Sequence, residues 1–168
     1  MKFQWEGVLK DLGRQYTSVQ VQHQIADWRG DTMKALLDTI VFLEIILSQE
    51  KAENAKSLLR KSAQHEFFLS DYSLHSIGLL LFRKKQHEAF QTFMNEVLLN
   101  GGIGLLSLYS AEMETVISAS RKFALDFDDA YRYAVAARYD LALVSFDTDF
   151  QRTDKGHKTP FEVLQIIP

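Results

Sequence analysis

Short apolar runs alternate with longer helical patterns from Met33 onward, and this alternation limits the possible folds more than any other feature of the sequence. The apolar runs are ALLD, FFLS, IGLLSL, LALVSF and FEVLQI, and helical patterns cover 40–61, 71–99 and 112–138. Such alternation is typical of β-α-β units, in which helices join parallel strands and cover both faces of the sheet. The sequence therefore predicts an α/β domain with a parallel sheet.

Composition narrows the function classes. The chain has 168 residues, of which 46% are hydrophobic, and this suffices for the core of one domain. It has no cysteine, which excludes disulfides, a thiol nucleophile and cysteine-bound metals and favours a reducing, cytoplasmic setting. The longest apolar runs are too short to cross a membrane, and the first residues lack the pattern of a secretory signal. The net charge of −3 does not suit a general polyanion binder, so we expect only local contacts with nucleic acid.

The first 32 residues have a different pattern. Two apolar stripes with the spacing of amphipathic helices occur there. They consist of Trp5, Val8, Leu9 and Leu12, and of Val21, Ile25 and Trp28. Two short helices cannot bury these stripes well against each other, so the stripes need another surface. We expect an N-terminal helical arm that either packs on its own domain or binds a partner.

Acidic residues follow the predicted strands. Asp38 ends the first run, Asp71 follows the second, and Asp147 and Asp149 follow the fourth. Open parallel sheets bind their ligands outside the carboxyl ends of the strands. We therefore expect these acids to meet at one edge of the sheet.

A further acidic group, Asp126, Asp128 and Asp129, opens the helical pattern 126–138. At about 100° per residue, Asp129 lies on the inward face of this helix and Asp128 points nearly opposite. Asp126 suits a helix N-cap with Asp129 in the first turn, and each acid alone suits a solvated loop. Carboxylates that converge, however, repel each other unless a cation neutralises them. Oxygen ligands favour Mg²⁺ or Mn²⁺, and these ions usually serve phosphoryl chemistry.

Other catalytic motifs are absent from the sequence. It contains no G-x-x-x-x-G-K-[ST] loop, no G-x-S-x-G elbow and no H-E-x-x-H helix. The string Asp147-Thr148-Asp149 resembles the nucleophile motif of haloacid-dehalogenase-like phosphatases, but in that family the motif follows an early strand. A small phosphatase is therefore the least favoured interpretation.

The segments MKALLDTIVFL, LDFDDAYRYAVA and LVSFDTDF share the pattern of a known family. Through them the chain resembles a PIN-domain ribonuclease of the VapC toxin type. The resemblance implies a parallel sheet of about five strands and a Mg²⁺-dependent site that hydrolyses RNA phosphodiesters. It also implies that Asp38, Asp129 and Asp147 are the first, third and fourth acids of that site, with Asp149 as an accessory carboxylate.

The chain departs from the family pattern at two positions. Ile40 stands where the family usually has Asn or Ser, which leaves Thr39 and Ser145 as candidate substitutes. The second acid is usually a Glu in the helix after the second strand, and Asp71 is the candidate replacement, with His75 one turn later. Asp71 also suits the N-cap of a helix 72–85, so the second catalytic position stays open.

The segment VLKDLGRQYTSVQVQHQIADWRG resembles the toxin-binding tail of a cognate antitoxin. The resemblance implies an antitoxin-like arm, 1–32, fused to a PIN domain, 33–168. Such a tail covers the toxin groove, here of its own chain or of a partner in a homodimer. The residues expected to serve this inhibitory arm are Trp5, Arg14, Trp28 and Arg29. The two arginines are candidates for a cation placed among the acids, although both also suit solvated helix charges.

Basic side chains form local patches that can bind RNA phosphates. They are Arg83, Lys84 and Lys85, and Arg152, Lys155 and Lys158. Charge runs of this kind also occur as solvated faces. The sequence thus predicts a metal-dependent endoribonuclease that its arm inhibits. The alternative is a catalytically silent PIN-fold module that binds RNA or a protein partner.

Overall fold

The computed structural model describes residues 32–166. Within this range four strands form one sheet: β1 (Lys34–Leu37), β2 (Glu66–Ser70), β3 (Gly104–Leu106) and β4 (Ala142–Val144). Their order is β3-β2-β1-β4, and every neighbouring pair is parallel. The predicted α/β class with a parallel sheet is therefore confirmed.

Helices connect and flank the strands. The described residues form α1 (Thr39–Ile46), α2 (Ala52–Leu59), α3 (Asp71–Arg83), α4 (His87–Phe93), α5 (Met113–Phe123), α6 (Phe127–Arg138) and α7 (Pro160–Ile166). A π-helical segment, Met94–Leu99, extends α4, and short 3₁₀ segments occupy Arg60–Ala63, Ser110–Glu112 and Thr148–Arg152.

Each of the three long helical patterns is divided into two helices. A residue with positive φ lies between the two helices in every case: Ser48 (51°), Lys85 (56°) and Ala124 (52°). A left-handed residue of this kind ends a helix because it turns the chain out of the helical path. The alternation of apolar and polar residues does not reveal these breaks, since none of the three residues is a glycine.

Two apolar cores cover the two faces of the sheet. Leu37, Phe42 and Phe93 belong to the first core, whereas Leu36 and Val135 belong to the second. Leu36 and Leu37 fall into different cores because successive side chains of a strand point to opposite faces. The helices therefore cover both faces of the sheet, as the sequence predicts.

The last predicted strand, FEVLQI, is a helix. Thr159 Oγ1 accepts a hydrogen bond from the Glu162 N–H (3.2 Å), and Glu162 Oε2 accepts one from the Thr159 N–H (2.7 Å). This reciprocal cap, with Pro160 at the first helical position, starts α7. Next to β4 the chain forms a single bridge between Val144 and Lys158. The sheet of the described residues therefore has four strands, where the sequence predicts about five.

The predicted N-terminal arm, 1–32, lies outside the described residues except for Thr32. Its helices and its boundary with the domain therefore stay predictions.

No helix between residues 32 and 166 is both long and apolar enough to span a membrane.

Candidate active site

Asp38 lies at the carboxyl end of β1, one of the two inner strands, and is buried, with 1% of its surface exposed. Its backbone N–H donates to the Val144 carbonyl oxygen at 2.9 Å, which joins the ends of β1 and β4. Ser145, the first residue after β4, donates its hydroxyl to Asp38 Oδ2 at 2.5 Å. Ser145 thus contacts Asp38, and its role as a substitute for the polar residue missing at Ile40 stays a prediction. The buried hydroxyl of Thr39, the other candidate, has no hydrogen-bond partner among the described residues.

Asp129 enters the site from the first turn of α6. Asp126 is the N-cap of this helix, and its Oδ1 accepts a hydrogen bond from the Asp129 N–H at 3.0 Å. The predicted capping role of Asp126 is therefore confirmed. Asp129 itself is buried, with 6% of its surface exposed, which agrees with the inward face predicted for it.

Asp147 and Asp149 follow β4 in a tight turn. Asp147 caps the 3₁₀ segment Thr148–Arg152, and its Oδ1 accepts a hydrogen bond from the Asp149 N–H at 2.9 Å. The Asp147 N–H donates to the Ser145 hydroxyl oxygen at 2.9 Å. Ser145 therefore connects this turn to Asp38, and the turn directs both of its acids towards α6.

Three carboxylates converge at this place. One oxygen each of Asp129, Asp147 and Asp149 can be chosen so that all lie within 4.8 Å of one another. The three residues range from buried to exposed, so the group opens to solvent on the Asp149 side. Carboxylate oxygens at this spacing fit a hard divalent cation such as Mg²⁺ or Mn²⁺.

The pKa of the Asp129 carboxyl is raised from 3.8 to about 6, and burial is the largest cause. The positive charge of Arg132 lowers this pKa, whereas the charges of Asp126, Asp147 and Asp38 contribute to its rise. The charged form of Asp129 is therefore destabilised by its surroundings. A cation placed among these acids would stabilise that form.

Arg132 is a member of the site that the sequence predictions omit. It follows Asp129 by three residues on α6, and its Nη1 donates to Asp38 Oδ1 at 2.6 Å and to Asp129 Oδ1 at 3.2 Å. Only 10% of its side chain is exposed. The i, i+3 spacing after an inward-facing acid is a signal that could have indicated it, because an arginine side chain spans one helical turn.

Asp71 is not part of the group of three carboxylates. It is the first residue of α3, and its Oδ1 accepts hydrogen bonds from the Tyr131 hydroxyl and the Tyr72 N–H, both at 2.8 Å. The N-cap of α3 is Ser70, whose hydroxyl oxygen accepts from the Ser73 N–H at 3.0 Å. The alternative interpretation of Asp71 as the N-cap is therefore wrong.

Asp128 lies outside the three-carboxylate group, as the helical projection predicts, but it still has partners. Its Oδ1 accepts a hydrogen bond from the Tyr72 hydroxyl at 2.6 Å, and its Oδ2 lies 3.8 Å from Arg132 Nη2. Tyr72 and Tyr131 lie against each other, with ring centroids 5.5 Å apart. The two tyrosines thus join the start of α3 to the first turns of α6.

The family described as the PIN domain matches residues 35–156, which is most of the chain. The chain belongs to the PIN-domain family. The matched range contains β2, β3, β4, all of β1 except Lys34, and all of the acids of the site. No curated protein matches the chain.

Solved structures share the fold of this PIN domain. A toxin-antitoxin complex from Klebsiella pneumoniae has a chain with 18% identity and a TM-score of 0.59, and the match covers 76% of this chain and 98% of that one. The Mycobacterium tuberculosis toxin VapC20 has 19% identity and a TM-score of 0.57, with 70% and 92% covered. FitAcB from Neisseria gonorrhoeae has 20% identity and a TM-score of 0.54, with 76% and 98% covered. The VapC-like fold expected from the sequence is thus confirmed.

The predicted RNA-binding residues lie in different parts of the PIN domain. Arg152 Nη2 forms an ion pair with Asp149 Oδ2 at 2.8 Å, so Arg152 borders the acids. Arg83 ends α3, the helix that begins at Asp71, and lies about 18 Å along the axis from that start. Lys84 and Lys85 continue past it. All three are exposed.

Lys155 lies near the start of β4, whereas Lys158 lies beside its carboxyl end, where it bridges Val144. Lys155 pairs with Asp140, which precedes β4, at 3.3 Å, and the Lys158 N–H donates to the Leu143 carbonyl oxygen at 2.9 Å. The expected residues of the inhibitory arm, Trp5, Arg14, Trp28 and Arg29, fall outside the described residues. Of the six basic residues predicted to bind RNA, Arg152 is the one with a contact to a site acid in the described part of the chain.

Proposed function

We propose that this PIN domain is a divalent-metal-dependent endoribonuclease of the toxin type. The observation that carries the proposal is the group of three carboxylates, Asp129, Asp147 and Asp149, at the carboxyl ends of the parallel strands. Repulsion within this group, and the raised pKa of Asp129, support the binding of a cation there. The family membership of the chain supports nuclease chemistry over other uses of such a site.

The three carboxylates would hold Mg²⁺ or Mn²⁺. A bound ion of this kind lowers the pKa of water and stabilises negative charge on a phosphodiester. Asp147 Oδ1 accepts from the Asp149 N–H and Asp129 Oδ1 accepts from Arg132 Nη1, so one oxygen of each carboxylate is held in place before a ligand arrives. Asp149, the most exposed of the three, faces the side from which RNA can approach.

Asp38 and Asp71 assist this group in the proposed mechanism. Asp38 is anchored by Ser145 and Arg132, and it adds negative charge next to Asp129. Asp71 is held by Tyr131 and takes the place of the second acid that the family pattern leaves unfilled. Its carboxylate is partly exposed and available to accept a proton from an attacking water.

RNA and an antitoxin-like segment are the proposed partners. VapC20 is described as a toxin that cleaves the sarcin-ricin loop, and the Klebsiella pneumoniae structure is described as a toxin-antitoxin complex. We extend these properties to this chain on the shared fold and the acid group. The N-terminal segment, 1–32, would serve as the inhibitor in its own chain or in the other chain of a homodimer. The absence of cysteine supports a reducing, cytoplasmic setting for this activity.

A catalytically silent PIN module is the second candidate. Three features favour it: Ile40 replaces the usual polar residue, the second acid is displaced to Asp71, and Arg132 occupies one oxygen of Asp38. Such a module would bind RNA or a protein without cleaving a phosphodiester.

Cleavage of RNA separates the two candidates. The full chain and the fragment 33–168 are incubated with structured RNA and Mg²⁺ or Mn²⁺, and again with EDTA. A ribonuclease should give metal-dependent fragments that Asp147→Asn abolishes. The matched control is Asp140→Asn, because Asp140 is an exposed acid at the other end of β4. Binding of RNA without fragments under every condition would support the silent module.

A further inference from the structure

Arg132 lies among the acids although it belongs to the PIN domain itself. Its Nη1 is 2.6 Å from Asp38 Oδ1 and 3.2 Å from Asp129 Oδ1, and its Nη2 is 3.8 Å from Asp128 Oδ2. One guanidinium group thus faces three carboxylates. Its Nε is buried without a hydrogen-bond partner among the described residues, so the contacts of this side chain are made through its two terminal nitrogens.

These contacts divide the acids into two sets. Asp38 accepts Arg132 on Oδ1 and the Ser145 hydroxyl on Oδ2, so both of its oxygens are engaged. Asp147 and Asp149 form the converging group with Asp129, and Asp38 is not in that group. Asp129 belongs to both sets, because one of its oxygens also accepts from Arg132.

The burial of Asp38 explains why it needs a permanent partner. A carboxylate that is 1% exposed is strongly destabilised unless an opposite charge and hydrogen bonds replace the lost water. Arg132 supplies that charge in the absence of any metal ion. The same positive charge repels a divalent cation that binds next to it, and this repulsion is substantial at the short distances of a partly buried site.

We propose that Arg132 is a positioning residue that neutralises Asp38 and keeps it out of the coordination shell of the divalent cation. The cation then binds Asp129, Asp147 and Asp149, and the removal of the guanidinium frees Asp38 to become a fourth ligand. The proposal rests on the metal site of the proposed function and specifies which acids form it. It differs from the sequence-based prediction, in which Asp38 is a ligand of the ion.

Binding of Mn²⁺ to the full chain tests this proposal. Affinity is measured by titration calorimetry and by the electron paramagnetic resonance signal of free Mn²⁺. Arg132→Gln should bind Mn²⁺ about tenfold more tightly than the wild type, because a positive charge is lost and a carboxylate is released. Arg138→Gln is the control, since Arg138 lies on the same helix and pairs with Glu112 away from the acids. It should bind Mn²⁺ like the wild type.

The double variant Arg132→Gln/Asp38→Asn separates the two arrangements. It has the net charge of the wild type and keeps Asp129, Asp147 and Asp149, so its Mn²⁺ affinity should return to within about threefold of the wild-type value. If Asp38 is a ligand in the wild type, the double variant should lose most of its Mn²⁺ binding, and the proposal is then overturned. This comparison also covers the case in which Arg132→Gln alone does not fold.

Metal-free thermal unfolding gives a second readout. Arg132→Gln should lower the melting temperature because Asp38 loses its counter-charge, and Asp38→Asn in the same chain should recover at least half of that loss. A merely structural arginine would not be rescued in this way. No rescue, or an unchanged Mn²⁺ affinity in Arg132→Gln, contradicts the proposal. A chain that binds Mn²⁺ as expected but cleaves no RNA contradicts the ribonuclease function and leaves the role of Arg132 in place.

Discussion

The Tyr131 hydroxyl donates a hydrogen bond to Asp71 Oδ1 over 2.8 Å and accepts one from the Leu108 N–H at 3.1 Å. Tyr131 lies two residues after Asp129 on α6, and Asp71 begins α3. One tyrosine therefore fixes the candidate second acid relative to the helix that carries the third acid. Burial raises the pKa of this hydroxyl to about 12, so it stays a hydrogen-bond donor at neutral pH.

The role of Asp71 can be tested with two neighbouring substitutions. Asp71→Asn keeps an oxygen that can accept from Tyr131 and removes only the charge, so we expect an intact fold and a loss of RNA cleavage by about 100-fold or more. Tyr131→Phe keeps the charge of Asp71 but removes one of its two hydrogen-bond donors, and it leaves the Leu108 N–H without its acceptor. It should reduce cleavage by less than tenfold and lower the stability by about 1 kcal/mol.

Single-turnover cleavage rates and urea unfolding measure both effects. A rate for Asp71→Asn equal to that of the wild type would show that Asp71 only holds α3 and α6 together. Equal losses in the two variants would mean that Asp71 acts through the position of α6 rather than through its own charge.

Divalent ions should stabilise the folded chain through the three-carboxylate group. A ligand that binds only the folded state, at a concentration of 100 times its dissociation constant, raises the free energy of unfolding by about 2.7 kcal/mol. For a domain of this size, this corresponds to a rise in melting temperature of roughly 5 °C or more. Asp147→Asn should remove the rise, and Asp140→Asn should keep it. A scan of melting temperature against Mn²⁺ concentration gives the answer, and an unchanged response in Asp147→Asn would exclude this site.

Asp129 should give the stability of the domain a defined pH dependence. Its pKa of about 6 in the folded chain lies above the ordinary value of 3.8, so the folded state binds the proton more tightly than the unfolded state does. The stabilisation from this proton is fully present below about pH 4 and is lost as the pH rises to about 6. Asp129→Asn does not titrate. In metal-free buffer the wild type should therefore lose stability relative to this variant between pH 4 and pH 7.

Urea-unfolding midpoints at several pH values measure this difference, with Asp140→Asn as the control that should follow the wild type. Parallel pH profiles for the wild type and Asp129→Asn would argue against the raised pKa. Protons and metal compete for the same carboxylate, so Mn²⁺ binding should also weaken as the pH falls below about 6.

The sequence predicts the parts of this fold that depend on periodicity. Short apolar runs place the strands and helical patterns place the long helical regions, and the ends of β1 and β4 bring Asp38, Ser145 and Asp147 together. The N-cap role of Asp126 also follows from local chemistry, because a carboxylate before an apolar helix satisfies free backbone N–H groups.

Errors arise where short-range chemistry competes with the apolar pattern. FEVLQI has the composition of a strand, but the cap formed by Thr159 and Glu162 starts a helix. Asp71 and Ser70 both suit an N-cap, and the structure uses Ser70. The pattern alone cannot choose between two adjacent caps.

Arg132 was missed for a different reason. The sequence predictions consider which acids share a face of α6 and do not consider which base can reach them. A search for Arg or Lys at three or four residues from an inward-facing acid would have found Arg132, because such pairs are neighbours on a helix. Its contact with Asp38, however, crosses 94 residues of sequence and depends on the packing of α6 against the sheet.

Arg152 should contribute more to RNA binding than the cluster at the end of α3. Arg152 borders the acids, whereas Arg83 is about 18 Å along α3 from Asp71. Arg152→Gln should weaken RNA binding and reduce the slope of log affinity against log salt by about 0.7 to 0.9, as expected for the loss of one phosphate contact. Arg83→Gln serves as the matched comparison. Fluorescence anisotropy with labelled RNA in the Asp147→Asn background, at several salt concentrations, measures both slopes.

A larger slope change in Arg83→Gln than in Arg152→Gln would move the proposed RNA path away from the acids. It would then run along α3 towards Lys84 and Lys85, and Arg152 would act mainly on Asp149. The same measurement therefore decides between two orientations of RNA on the domain.

The N-terminal segment should inhibit the activity of the domain. Its apolar stripes, with Trp5 and Trp28, need a surface, and a tethered segment acts at an effective concentration of up to about millimolar. Even weak docking would then keep the acids covered for most of the time. Deleting 1–32 should raise the RNA-cleavage rate and expose apolar surface, and Trp5→Ala with Trp28→Ala should have a milder effect in the same direction.

Cleavage rates of the full chain, the tryptophan variant and the fragment 33–168 measure the inhibition, with the binding of a hydrophobic dye as the readout of exposed apolar surface. A synthetic peptide of residues 1–32 can then be added to the fragment. It should inhibit RNA cleavage only at peptide concentrations far above that of the protein, because the tether is lost. Equal rates in the full chain and the fragment would exclude autoinhibition. If neither of them cleaves RNA, the arm has no activity to restrain, and the silent PIN module becomes the better explanation of the altered second acid and of the engaged Asp38.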